Sequence, residues 1–104
     1  MDYRVSWSPE ALDDVEAIAE YIERDSPIYA RAVVQKLLDA ARNLNTFPNA
    51  GRVVPELGDD TIRERFVYSY RLVYRVRDNA VLVAAVVHGK RMLEPIEDRI
   101  TESK

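Results

Sequence analysis

The run Val81-Leu82-Val83-Ala84-Ala85-Val86-Val87 is apolar at every position. A strand wetted on one face alternates apolar and polar side chains. A run without alternation reads as a central strand buried on both faces, or nearly so. Whatever this chain folds into must supply neighbours and cover for that strand. The segments on its N-terminal side are the available material.

Ile62–Ser69 and Tyr70–Arg77 are rich in Val, Tyr, Phe and Leu and read as two further strands. Asp78-Asn79 supplies a tight turn between the second and the apolar run, Ala80–His88. Tyr3, Val5 and Trp7 alternate with polar residues and read as one face of a short strand. Two helices lie between. Ser8-Pro9-Glu10 and Ser26-Pro27 each place a capping hydroxyl before a proline, the signature of a helix start. Over 9–24, Leu12, Val15, Ile18 or Ala19, and Ile22 recur at helical spacing, with acids on the other side. Those acids read as a solvated face rather than an acid–base pair. Over 27–45, Ala30, Val34, Leu37, Ala41 and Leu44 form the apolar stripe, with Val33 and Leu38 beside it. The short link between them predicts an antiparallel helical hairpin. Residues 46–61 form a structured loop tied to the core through Phe47, Val53, Val54 and Leu57. The tail from Gly89 is expected to be irregular or a short helix, frayed at its end. The expected fold is a single α+β domain, 1–104, of order βααβββ. A helical hairpin packs on one face of a small, mainly antiparallel sheet.

Charge is unevenly spread over the 104 residues. Residues 1–61 hold 12 acids and 6 bases, a net of −6, and residues 62–104 hold 6 acids and 9 bases, a net of +3. The overall −3 argues against a nucleic-acid binder that uses its whole surface. The basic C-terminal half still allows a local site for an anionic partner. In 70–77, Arg71, Val73, Arg75 and Arg77 share one face and Tyr70, Leu72, Tyr74 and Val76 the other. The second set is the better match for the helices. In the preceding strand Arg63 and Arg65 lie opposite Ile62, Glu64, Phe66 and Tyr68. A hairpin can gather Arg63, Arg65, Arg71 and Arg75 as a guanidinium cluster on the open face of the sheet. Alternatively the arginines pair with Glu64, Asp78 or the C-terminal acids.

His88, the single histidine, ends the apolar strand just before Gly89-Lys90-Arg91. It can act as a general acid or base, or be a satisfied structural residue. Tyr68, Tyr70 and Tyr74 offer a stacking surface for bases, or simply β-propensity and core packing. There are no cysteines. That removes disulfides, zinc fingers and cysteine nucleophiles, and no carboxylate spacing suggests a metal site. No cofactor signature is present; Gly89-Lys90-Arg91 follows the wrong element to be a phosphate-binding loop. No apolar run approaches the roughly eighteen residues that a membrane helix needs. The opening Met-Asp-Tyr-Arg lacks the pattern of a secretory signal.

Tyr3-x-Val5-x-Trp7-x-Pro9-Glu10-Ala11-x-x-Asp14 resembles the opening of RelE/ParE-superfamily toxins. Phe47-Pro48-x-x-Gly51-Arg52 and Arg63-Glu64 fit the same family, as do Tyr70-Arg71-Leu72-Val73-Tyr74-Arg75-Val76 and Val86-Val87-His88-Gly89-Lys90-Arg91. The ordered set covers residues 3 to about 93. The resemblance implies a cytoplasmic toxin of a type II toxin–antitoxin pair, held inactive by a cognate antitoxin. It would meet operator DNA only through that antitoxin, with no role for a membrane. RelE-like members cut mRNA on the ribosome, whereas ParE-like members poison DNA gyrase. For the nuclease branch the resemblance implies Arg71 and Arg91 as catalytic residues, with His88 as acid or base. Arg63, Arg65, Arg75 and Lys90 are the target- or phosphate-binding candidates. The C-terminal tyrosine of the RelE subgroup has no counterpart, since no Tyr follows Tyr74. The acidic net charge also favours the ParE-like branch. A non-toxic antitoxin-binding module is the remaining alternative.

Overall fold

The computed structural model describes residues 2–91, 93 and 96–100. In chain order the elements are β1 (Arg4–Trp7), α1 (Pro9–Glu23), α2 (Pro27–Asn43) and β2 (Arg52–Val53), then β3 (Ile62–Val67), β4 (Tyr70–Arg77), β5 (Ala80–His88) and α3 (Glu97–Ile100). One sheet runs β1-β5-β4-β3-β2, with β1 parallel to β5 and the other pairs antiparallel. The α+β class and the helical hairpin on the sheet are as the sequence predicts. The short β2 adds to the predicted order, and α3 is the short helix that the tail allowed. The end of the tail, expected to fray, lies outside the described residues.

Both helix starts are capped as the serines imply. Ser8 Oγ accepts from the Ala11 N–H at 3.0 Å, and Ser26 Oγ from the Tyr29 N–H at 3.1 Å. The inward stripe of α1 is Ala11, Val15 and Ile22, with Ile18 beside them; Leu12 is turned half outward. In α2 it is Ala30, Val33, Leu37 and Ala41, continued by Leu44. These stripes meet Leu72, Tyr74, Val81, Val83 and Val86, with Tyr3, Val5, Trp7, Tyr70 and Val76 at the margin. The Tyr70/Leu72/Tyr74/Val76 face of β4 therefore does meet the helices.

The opposite face is not open. Val54 and Leu57 of the long loop, with Leu93, Ile96 and Ile100, cover Ile62, Val73, Ala84, Ala85 and Val87. This second layer meets the demand made by the apolar β5. Phe47, by contrast, leaves the core and is 60% exposed.

Pairing between β4 and β5 slips from Val73↔Ala85 to Tyr74↔Val83, so Ala84 is an extra residue, a bulge. Beyond it β1 has ended, and the outer edge of β5 would be bare. Side chains fill the gap. Ser8 Oγ donates to the Ala84 carbonyl at 3.4 Å, and Asp14 Oδ2 accepts from the Val86 N–H at 2.9 Å. Arg99 Nη2 of α3 donates to the same Asp14 oxygen at 2.7 Å.

Two residues, Tyr68 and Ser69, connect β3 and β4. Tyr68 has φ +54°, a left-handed conformation that costs a non-glycine residue about 1–2 kcal/mol. Its ring is 51% exposed and meets Tyr29 edge-on, with centroids 5.9 Å apart. No described helix is long and apolar enough to cross a membrane.

Candidate functional site

A two-residue turn decides where the arginines go. It sets Arg63 opposite Tyr74 and Arg65 opposite Leu72, while Phe66 faces Arg71 and Ile62 faces Arg75. Residues directly opposite share a face. Arg63 and Arg65 therefore lie on the helix side, and Arg71 and Arg75 on the other. The single guanidinium cluster expected on an open face does not form: register splits it across the sheet, and the second face is covered.

Arg71 sits at the centre of that second face and is 4% exposed. Its Nε donates to Glu64 Oε1 at 2.6 Å. Nη1 and Nη2 donate to the two oxygens of Glu56 at 2.9 and 3.0 Å, a bidentate pair. Nη1 also reaches the Arg91 carbonyl at 3.4 Å. The second oxygen of Glu64 accepts from Arg52 Nε at 2.6 Å. One buried carboxylate (Glu64), one exposed carboxylate (Glu56) and two guanidiniums thus form a neutral chain that runs from the core to the surface. Hydrogen bonding to Arg71 holds the Glu56 carboxyl below its usual value. The same bond, with help from Glu64, raises the Arg71 guanidinium above its own. The chain pins the loop carrying Val54 and Leu57 over the sheet.

A second clasp holds the start of that loop. Burial raises the Tyr74 phenol, whose hydroxyl donates to the Pro48 carbonyl and accepts from the Gly51 N–H, both at 2.9 Å. A Cβ at Gly51 would lie 2.3 Å from the Glu64 carbonyl oxygen, so only glycine fits. Arg63 Nη1 adds a bond to the Gly51 carbonyl at 2.7 Å.

His88 and Arg91 meet elsewhere. Both are exposed and line a cleft of about 360 Å³ with Asp14, Tyr21, Tyr70 and Val86, beside the outer edge of β5. His88 Nδ1 accepts from the Lys90 N–H at 3.2 Å, which leaves Nε2 as the proton-bearing nitrogen of the neutral ring. The ring meets Tyr70 edge-on at 5.9 Å. Arg71 does not line this cleft. Lys90 is exposed in the turn after β5, and Arg65 lines a separate cleft between α2 and β3. Among the tyrosines, Tyr74 is core, Tyr70 half-buried and Tyr68 exposed. No cluster of three or more potential metal ligands occurs among the described residues.

The alternative in which the arginines pair with Glu64 is the one the structure shows for Arg71, and Glu56 is a partner the sequence reading does not name. Glu64 shares strand parity with Ile62, and an inward carboxylate demands a cation. That signal was present in the sequence.

A family model for the "ParE toxin of type II toxin-antitoxin system, parDE" matches residues 5–93. Toxin RelE2 of Caulobacter vibrioides is 34% identical over 90 residues, covering 86% of this chain and 98% of the relative. Two solved structures share the fold. One is from the chromosomal ParDE system of P. aeruginosa, with TM-score 0.69 and 19% identity over 83% of this chain and 95% of that one. The other is the free state of an E. coli RelE mutant, with TM-score 0.65 and 20% identity over 96% and 95%. The extent of the family match and the identity to RelE2 together establish that this chain belongs to the ParE toxin family of type II toxin–antitoxin systems, within the RelE/ParE superfamily.

Proposed function

We propose that the protein is a cytoplasmic toxin, held by a cognate antitoxin, that arrests growth by poisoning DNA gyrase through protein–protein contact. The observation that carries this reading is the Glu64–Arg71–Glu56 chain, with Glu64 and Arg71 buried. A nuclease of the RelE type needs free cationic donors aimed at the phosphate whose charge grows in the transition state. Arg71, one of the two arginines the family resemblance offers for that task, donates instead to two carboxylates of its own chain. Freeing it would leave Glu64 in the core with only the exposed Arg52 as partner and would break the bidentate pair with Glu56. The antitoxin partner follows from the family. A structural neighbour from Mycobacterium tuberculosis, RelBE2, is itself a toxin–antitoxin complex, with TM-score 0.59 and 23% identity. Operator DNA is then met only through the antitoxin.

One observation favours mRNA cleavage on the ribosome as a second reading: His88 and Arg91, a proton-transfer group and a cation, line the same cleft. The deciding experiment titrates purified toxin into a gyrase supercoiling assay and into a translating ribosome mixture. Gyrase poisoning predicts loss of supercoiling and accumulation of cleaved DNA with mRNA intact. Intact supercoiling with mRNA cut in a His88-dependent way would overturn it. Harmless expression without antitoxin would instead indicate a non-toxic binding module.

A further inference from the structure

The cleft between α2 and β3 has a volume of about 310 Å³ and is lined by Lys36, Asp39, Asn43, Arg65 and Tyr68, among others. Lys36 and Arg65 enter no ion pair among the described residues. Asp39 is already occupied: its Oδ1 accepts from Gln35 Nε2 at 3.0 Å and from Arg42 Nη1 at 2.9 Å. Asp39 is shared with Arg42, so the two cations that line the cleft outnumber its one acid, on a protein whose net charge is −3. A cleft lined by two cations that enter no ion pair presents a positive potential to an anion.

The third element is Tyr68. Its ring is half exposed at the rim, and its backbone is held at φ +54°, where glycine would sit without strain. The two-residue hairpin demands that positive φ, and the ring, although it meets Tyr29 edge-on at 5.9 Å, remains half exposed beside the cleft. Two cations beside a planar ring match a nucleotide, which offers a phosphate to the cations and a base face to the ring. The bases of a duplex are stacked on one another, so only a single strand can present that face.

We infer that this cleft binds one nucleotide unit of single-stranded DNA, with phosphates at Lys36 and Arg65 and a base on Tyr68. The choice of DNA over RNA rests on the gyrase reading, because a gyrase-bound toxin works beside DNA. The contact is direct and separate from any operator binding through an antitoxin.

The test is fluorescence anisotropy of a labelled oligothymidylate with the whole protein at low salt. Wild type should bind. Exchanging both cations, Lys36→Glu with Arg65→Glu, removes two phosphate contacts and should shrink the slope of log K against log salt by about 1.4. Tyr68→Gly should weaken binding by roughly 5- to 150-fold, the range for one lost base stack. Its thermal midpoint should not fall, because glycine relieves the positive φ. A purely structural tyrosine would show the reverse pattern. The inference fails if wild type does not bind, if Tyr68→Gly binds as wild type does, or if oligouridylate binds and oligothymidylate does not. An acidic peptide that displaces the oligonucleotide equally well from wild type and Tyr68→Gly would also overturn it, since that marks a simple anion surface. Intact supercoiling alongside Tyr68-dependent DNA binding removes the gyrase reading and leaves the cleft in place.

Discussion

The two faces of the sheet are covered by different physics. On one side, two capped amphipathic helices lay a continuous apolar stripe over Leu72, Tyr74, Val81 and Val83. Burial dominates in that layer, since regular elements satisfy their own backbone groups, with Asp14 of α1 adding a bond to the Val86 N–H at the sheet edge. On the other side the cover is a loop and a short tail, contributing Val54, Leu57, Leu93, Ile96 and Ile100. Such segments have little apolar area and loose backbones, so directional bonds must place them. The Glu64–Arg71–Glu56 chain and the Tyr74 hydroxyl perform that task. The comparison teaches that a buried ion pair here orients a layer that burial alone would leave free to slide.

The sharpest way to break this contrast is Glu64→Ala. It leaves Arg71 buried with only Glu56, and unfolding in denaturant should show a loss of about 3–5 kcal/mol. Replacing the pair together, Glu64→Leu with Arg71→Met, should recover most of that loss while loosening the 54–58 loop to protease. If the double variant is as unstable as the single, the ion chain is not the source of the effect. On the helix face, Leu37→Ala should cost about 2–5 kcal/mol by leaving a cavity, with the loop's protease resistance unchanged. Tyr74→Phe is smaller. It strands the Gly51 N–H and the Pro48 carbonyl, and a thermal melt should reveal about 1–3 kcal/mol.

The smallest effect concerns pH. The Glu56 carboxyl is lowered from its ordinary 4.5 in the folded protein. Its contribution is therefore complete above that value and is lost as pH falls through the lower, folded value. Stability curves of wild type and Glu56→Gln should run apart near neutrality and converge on acidification. Curves that stay parallel would show that Glu56 is not the tether.

The helices were legible because their information is local. Ser8-Pro9 and Ser26-Pro27 mark the starts, and apolar spacing marks the inner faces. The faces of β4 were legible too, since parity is a property of one strand. What parity cannot give is how one strand's faces match its neighbour's. That depends on the turn between them, and this turn carries no conventional signal. Tyr68-Ser69 lacks the Gly or Asn that the left-handed position favours, so 62–69 read as an unbroken strand. Missing that turn placed Arg63 and Arg65 beside Arg71, when a one-residue change of register moves every side chain to the other face. The bulge at Ala84 was hidden for a similar reason, because an all-apolar run has no alternation to interrupt. The residue that strains the backbone thus also disguised the site. The outward turn of Leu12 and Phe47 has no sequence signal that we can identify.

The parallel pairing of β1 with β5 joins Arg4 to Ala80 and Trp7 to Val83. During synthesis, β1 and the helical hairpin exist long before the strand that completes their sheet. Closing so long a loop carries an entropic cost that no local contact offsets, which slows folding relative to the hairpin itself. The newborn chain therefore exposes the apolar residues of α1 and α2 before β5, the strand they rest on, has been made. A chaperone, or a binding partner that recognises that underside, would meet the protein before its own β5 does.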